Sequence, residues 1–72
     1  MSRYLLLENV IVQADCPIEN RESDRVVLNS GEEIVIFGET PDLFDKTIRY
    51  FATNNGWILK VSDEDLKFFK SI

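Results

Sequence analysis

The sequence predicts an α+β fold: a two-layer βαβαββ sandwich whose four-stranded mixed sheet carries its helices on one face. Three observations predict it. Glu33–Phe37 (Glu-Ile-Val-Ile-Phe) is a short β-branched run. Residues 40–53 place apolar side chains at helical spacing behind a Thr-Pro-Asp start, and Trp57–Val61 is strand-like again. Seventy-two residues make one domain, 1–72, with material for a single thin core.

Residues 4–14, apolar on both faces and rich in β-branched side chains, read as the first strand, bent or broken at Glu8-Asn9. Asp15-Cys16-Pro17 ends it, because proline cannot donate to a ladder. Residues 17–30 have two readings. In the first, Pro17 opens a helix and Glu19 complements its dipole. The helix face Ile18, Arg21, Glu22, Arg25 and Val26 is then a poor stripe, with two apolar members of five. In the second, Asp24–Leu28 is a hairpin strand, through Arg25-Val26-Val27-Leu28, that turns at Asn29-Ser30-Gly31-Glu32. The fold class above takes the helix.

In Glu33–Phe37, Ile34 and Ile36 face one way and Val35 and Phe37 the other, as in a central strand. Thr40 is an N-cap, Pro41 the first helical residue and Asp42 a dipole partner. Phe44, Ile48, Phe51 and Ala52 form the helix stripe, and Asn54-Asn55-Gly56 ends it with a left-handed cap at Gly56. Trp57–Val61 is a strand and Ser62–Asp65 a turn. Leu66–Lys70 is read as a final strand, although Ser62 with Asp65 resembles a capping box that would favour a short helix.

Composition narrows the function. Eight Lys and Arg stand against thirteen Asp and Glu, a formal charge of −5, which argues against nucleic acid as a partner. The chain contains no histidine, so it cannot build a Ser-His-Asp or Cys-His engine. No pair of carboxylates stands in an apolar setting that would mark carboxylate catalysis. One cysteine excludes an intrachain disulfide and a multi-cysteine metal site, and a free thiol suits a reducing compartment. No stretch approaches a membrane span, and Glu8 interrupts the N-terminal apolar run before it could serve as a signal peptide. The expectation is a cytoplasmic protein without metal or organic cofactor, in contact with a protein partner. An unpaired sheet edge would allow a homodimer, but nothing selects an oligomeric state.

The candidate chemistry is Cys16. At the start of a helix its thiolate would be stabilised by the free amides, and Pro17 would fix the backbone beside it. The plainer reading is a small buried apolar side chain. Trp57 is a core residue by default and otherwise a contact for a partner. Phe68 and Phe69 point to opposite faces of a strand, so one of them, taken as Phe69, is a candidate binding residue. Thr40-Pro41-Asp42 reads as a helix cap and Asp63-Glu64-Asp65 as a solvated turn.

In their order along the chain, Cys16-Pro17, Gly31-Glu32 and Gly56 resemble the TusA-like (SirA-like) sulfur-carrier family, over about residues 8–70. The resemblance implies a βαβαββ fold and a cysteine that accepts a persulfide and passes the sulfur on. That role maps to Cys16 alone. The family's Cys-Pro-x-Pro is Cys16-Pro17-Ile18-Glu19 here, and Glu39 or Asp42 only loosely fills the acidic position before the second helix. Two functions therefore follow. One is a persulfide relay through Cys16. The other is a noncatalytic interaction module, a regulatory subunit or inhibitor, that uses an acidic or aromatic surface.

Overall fold

A computed structural model describes all residues, Met1–Ile72. The fold is a single seven-stranded antiparallel sheet, which corrects the α+β expectation. The strands are β1 (Ser2–Leu6), β2 (Val10–Cys16), β3 (Arg21–Leu28), β4 (Glu33–Pro41), β5 (Ile48–Thr53), β6 (Ile58–Ser62) and β7 (Phe69–Ser71). Their order in the sheet is β3-β2-β6-β5-β4-β1-β7. Helical structure is confined to a 3-10 turn, Pro17–Glu19, and one α-turn, α1 (Asp63–Leu66). No helix is long and apolar enough to cross a membrane.

Alternation explains the strands. In β2, Val10, Val12, Ala14 and Cys16 are buried while Ile11, Gln13 and Asp15 face out. Leu6, Leu28, Ile34, Ile36, Phe51, Leu59, Val61 and Phe69 join the three aliphatic residues of β2 in one core. With no second layer, the sheet coils so that one face encloses these side chains. Phe51, fully buried on β5, lies 5.8 Å from the Tyr4 ring of β1 and 6.0 Å from Phe69 of β7. The three rings tie the centre of the sheet to its β1–β7 end.

Each departure from the expected elements has a local cause. Residues 4–14 split at Leu7–Asn9, because β1 joins β4 and β7 while β2 joins β3 and β6. The Asn9 carboxamide accepts the Ser30 N–H at 2.7 Å and holds that crossing. The expected first helix is β3, whose charged side chains suit a half-exposed edge strand better than a packed helix. Residues 29–32 do not form a hairpin, since β3 pairs only with β2 and β4 pairs with β1 and β5.

The expected second helix, residues 40–53, is instead the end of β4 (Thr40 and Pro41, the expected cap and first helical residue), a turn over residues 42–47 and β5. Asp42 accepts the N–H groups of Phe44 and Asp45, and Asp45 accepts that of Thr47, so the amides that would open a helix close a turn instead. Ile48-Arg-Tyr-Phe-Ala-Thr then has the β-branched and aromatic content of a strand, and β4 and β6 satisfy its backbone on both sides. Residues 63–71 contain both expected alternatives: the Ser62 hydroxyl accepts the Asp65 N–H at 3.3 Å and caps α1, and β7 follows.

Gly56 closes the β5–β6 turn at φ +88°, not a helix. A Cβ there would lie 2.6 Å from Cδ1 of Ile18, the movable tip of that side chain, so the backbone angle dominates the expected cost. Gly56→Ala is expected to lose about 1–3 kcal/mol of stability in a urea titration. The added Ile18→Ala change is expected not to restore it, and full restoration would assign the cost to the clash.

Candidate functional site

Cys16 is the last residue of β2, at a register shift between Ala14 and Cys16, and it is 1% exposed. Strand alternation turns its side chain into the interior with Val12 and Ala14. The turn that follows is three residues long, with Cys16 at φ −127°, ψ 89° and no side-chain cap bond. The aligned amides of a helix, which would stabilise a thiolate at this position, are absent. Asp15 faces outward and its carboxylate accepts the Ser23 N–H at 2.7 Å. Pro17 is exposed at the rim of a shallow depression with Asn20, Arg21 and Ser23.

Of the other sequence candidates, Trp57 directly precedes the Ile58–Asp15 pair of the β6–β2 ladder, which sets its backbone beside Cys16, whereas Phe69 lies on β7 at the opposite edge of the sheet. Trp57 is half-buried against the core in the β5–β6 turn, where its backbone N–H donates to the Thr53 hydroxyl at 3.1 Å. Phe69 is a core residue, 8% exposed, and presents no contact surface. Its neighbour Phe68 is the partly exposed one, with the Lys67 ammonium 5.2 Å from its ring centroid. Phe69, the candidate binding residue of the pair, thus faces the core, and neither phenylalanine is fully exposed.

The most exposed pair of large apolar side chains lies where the sequence reading placed a helix core. Leu43 is 91% exposed and Phe44 96%, at the tip of the β4–β5 connection. An isolated exposed leucine is ordinary, but this pair stands on a fixed loop. The Asp42 carboxylate accepts the Phe44 and Asp45 N–H groups at 2.8 and 3.1 Å, and its other oxygen accepts the Tyr50 hydroxyl at 2.8 Å. Asp45 accepts the Thr47 N–H at 2.9 Å and its hydroxyl at 2.6 Å. Backbone bonds from Asp42 N–H to the Ile48 carbonyl and from Ile48 N–H to the Asp45 carbonyl close the base. Arg49 pairs with Glu39 at 2.6 Å across the neighbouring strands.

These bonds leave an electrostatic mark. The Phe44 amide, then the Tyr50 hydroxyl and the Asp45 amide, hold the Asp42 carboxyl below its ordinary 3.8. The Thr47 hydroxyl and amide lower Asp45 in the same way. Donation to Asp42 raises the Tyr50 hydroxyl above its ordinary 10.0. The loop thus displays two apolar side chains on an acidic base. Two Asp residues flanking Leu-Phe, with a Thr two residues after the second, were the sequence signal for this turn, and the coincident helical stripe masked it.

Comparison with family models, with curated proteins and with solved structures finds no match to this chain.

Two outcomes test the geometry. Cys16 is expected to react slowly with an alkylating reagent in the native state and rapidly once urea unfolds the chain. Equal rates in both states would contradict its burial. For the tip, the Asp42 and Asp45 bonds are fully present above about pH 3.8 and are lost as pH falls through the lower, folded values. The Tyr50 bond is present below pH 10 and is lost as pH rises through its raised value. The Phe44 amide resonance is expected to titrate with a midpoint below 3.8, and a midpoint at or above 3.8 would break the assignment.

Proposed function

We propose that this chain is a noncatalytic protein-interaction module that inserts the Leu43–Phe44 tip into an apolar pocket of a partner protein. The observation that carries the reading is the near-complete exposure of both side chains on a loop held by carboxylate hydrogen bonds. Moving one such side chain from water into a pocket is worth about 1.5–3 kcal/mol. Because the backbone is already ordered, little of that gain is lost to fixing the loop. The Asp42 and Asp45 carboxylates beneath the tip, with a chain charge of −5, favour a pocket rimmed by Lys or Arg.

The geometry around Cys16 supports this reading over a persulfide relay. A relay needs a thiol that meets a donor persulfide, and here the thiol is enclosed and followed by a single 3-10 turn.

The test places a photo-crosslinking phenylalanine analogue at position 44 and exposes the chain to an extract of the source cells. Unlabelled native chain is expected to compete away the crosslinked partner, as is Cys16→Ala. Leu43→Ser/Phe44→Ser is expected to compete at least tenfold less well, for the loss of about 1.4 kcal/mol or more, with an unchanged unfolding midpoint. Equal competition by the double variant would refute the tip as the contact. Loss of competition by a folded Cys16→Ala would return attention to the thiol.

A further inference from the structure

The coiled sheet does not close. β3 is one of its two edges, and its only ladder is with β2. No backbone hydrogen bond joins β3 to any other part of the chain. Across from it, β4 begins at Glu33, whereas β5 reaches only to Thr53, opposite Ile36. Glu33–Val35 therefore pair with β1 on one side. On the other side they receive a single bond, from the Asn54 N–H to the Val35 carbonyl at 3.3 Å. Between these two open stretches lies a groove of about 260 Å³. Val26, Leu28, Leu59 and Trp57 line it, together with Glu32, which accepts from the Asn29 carboxamide at 2.7 Å, and Glu33, which pairs with Arg3 at 3.1 Å through one carboxylate oxygen.

Exposed strand edges are ordinarily blunted, by shortness, bulges or charge. The opposite edge, β7, is three residues long. The first half of β3 carries Arg21, Glu22 and Asp24, a register shift opposite Ala14/Cys16, and Ser23 at φ +53°. Val26-Val27-Leu28 has none of these devices. It is regular, uncharged and paired on one side only, and it is the stretch that borders the groove.

We propose that this groove receives an extended segment of a partner protein with alternating apolar and basic side chains, added to β3 as an eighth strand. Backbone bonds to β3 supply affinity, alternate apolar side chains enter over Trp57 and Leu59, and Lys or Arg side chains meet Glu32 and Glu33. The acidic margin repels nucleic acid phosphate. The site is distinct from the Leu43–Phe44 tip: β4 runs nine residues from the groove to the base of that loop, roughly 25–30 Å.

The probe is the peptide acetyl-Lys-Val-Lys-Val-Lys-Val-Lys-amide, with a matched peptide carrying Glu for Lys. Binding is read by fluorescence of Trp57, the single tryptophan, and by backbone amide shifts. The lysine peptide is expected to perturb the amides of residues 26–28 and 33–35, and the glutamate peptide is expected to leave them unchanged. Glu32→Lys/Glu33→Lys is expected to weaken binding roughly tenfold, from two exposed charge pairs converted to repulsions. Leu43→Ser/Phe44→Ser is expected to bind as the native chain does, which separates this site from the tip. Absence of shifts at 26–28, or equal binding of both peptides, would overturn the proposal. So would a sedimentation result in which the chain alone dimerises with β3 amides newly protected, since a second copy would then be the occupant.

Discussion

A single sheet with one apolar face has nothing to pack against except itself, and that constraint organises the molecule. Burial of Leu6, Val12, Ile36, Phe51, Leu59 and Val61 requires the sheet to bend around its apolar face. The bend is helped by register shifts in β3 and β4, each carrying one extra residue, which let the strands coil more tightly than a regular ladder would. Phe51 is the pivot: its ring reaches β1 and β7 from the middle of β5, so the far side of the sheet is anchored to its centre. The incomplete seam beside β3 belongs to the same bend, which sets the end of β3 and the start of β4 on two sides of one groove without pairing them.

β4 links the functional features. Its first residues border the seam, its middle carries the register shift, and its last residues lead into the Leu43–Phe44 loop. Each end of the strand is held differently. At the start, Arg3 and Glu33 pair across an exposed surface at 3.1 Å, a contact of small energetic weight. At the far end, a network of carboxylates, hydroxyls and amides fixes the loop through short local bonds. The molecule is therefore least constrained where the backbone is open and most constrained where the side chains are bare.

Much of the strand content was legible in the sequence, and the topology was not. Glu33–Phe37 and the strand after Trp57 read correctly because β-branched runs bounded by turn residues have few alternatives. The Ser62 cap and the break near Glu8-Asn9 were also legible. Residues 40–53 misread because Phe44, Ile48, Phe51 and Ala52 match a helical period by coincidence, and only Phe51 of the four is a core residue. The period-2 pattern Val10, Val12, Ala14, Cys16 held the answer for the cysteine: it continues the buried face of β2. A Cys-Pro pair read as a motif obscured that simpler alternation. Strand order lay beyond reach because β1 and β2, consecutive in the chain, take neighbours far away in sequence.

The pairing of β1 has a consequence for how the chain acquires its structure. Tyr4 lies opposite Ser71, and the Ile72 N–H donates to the Arg3 carbonyl at 3.1 Å. β1 therefore waits for β4 and then for β7, both later in the chain, before both its edges are occupied. Contacts of such large sequence separation slow the search for the native arrangement. During synthesis Tyr4, Leu5 and Leu6 remain without their final neighbours until residues 69–71 have left the exit tunnel.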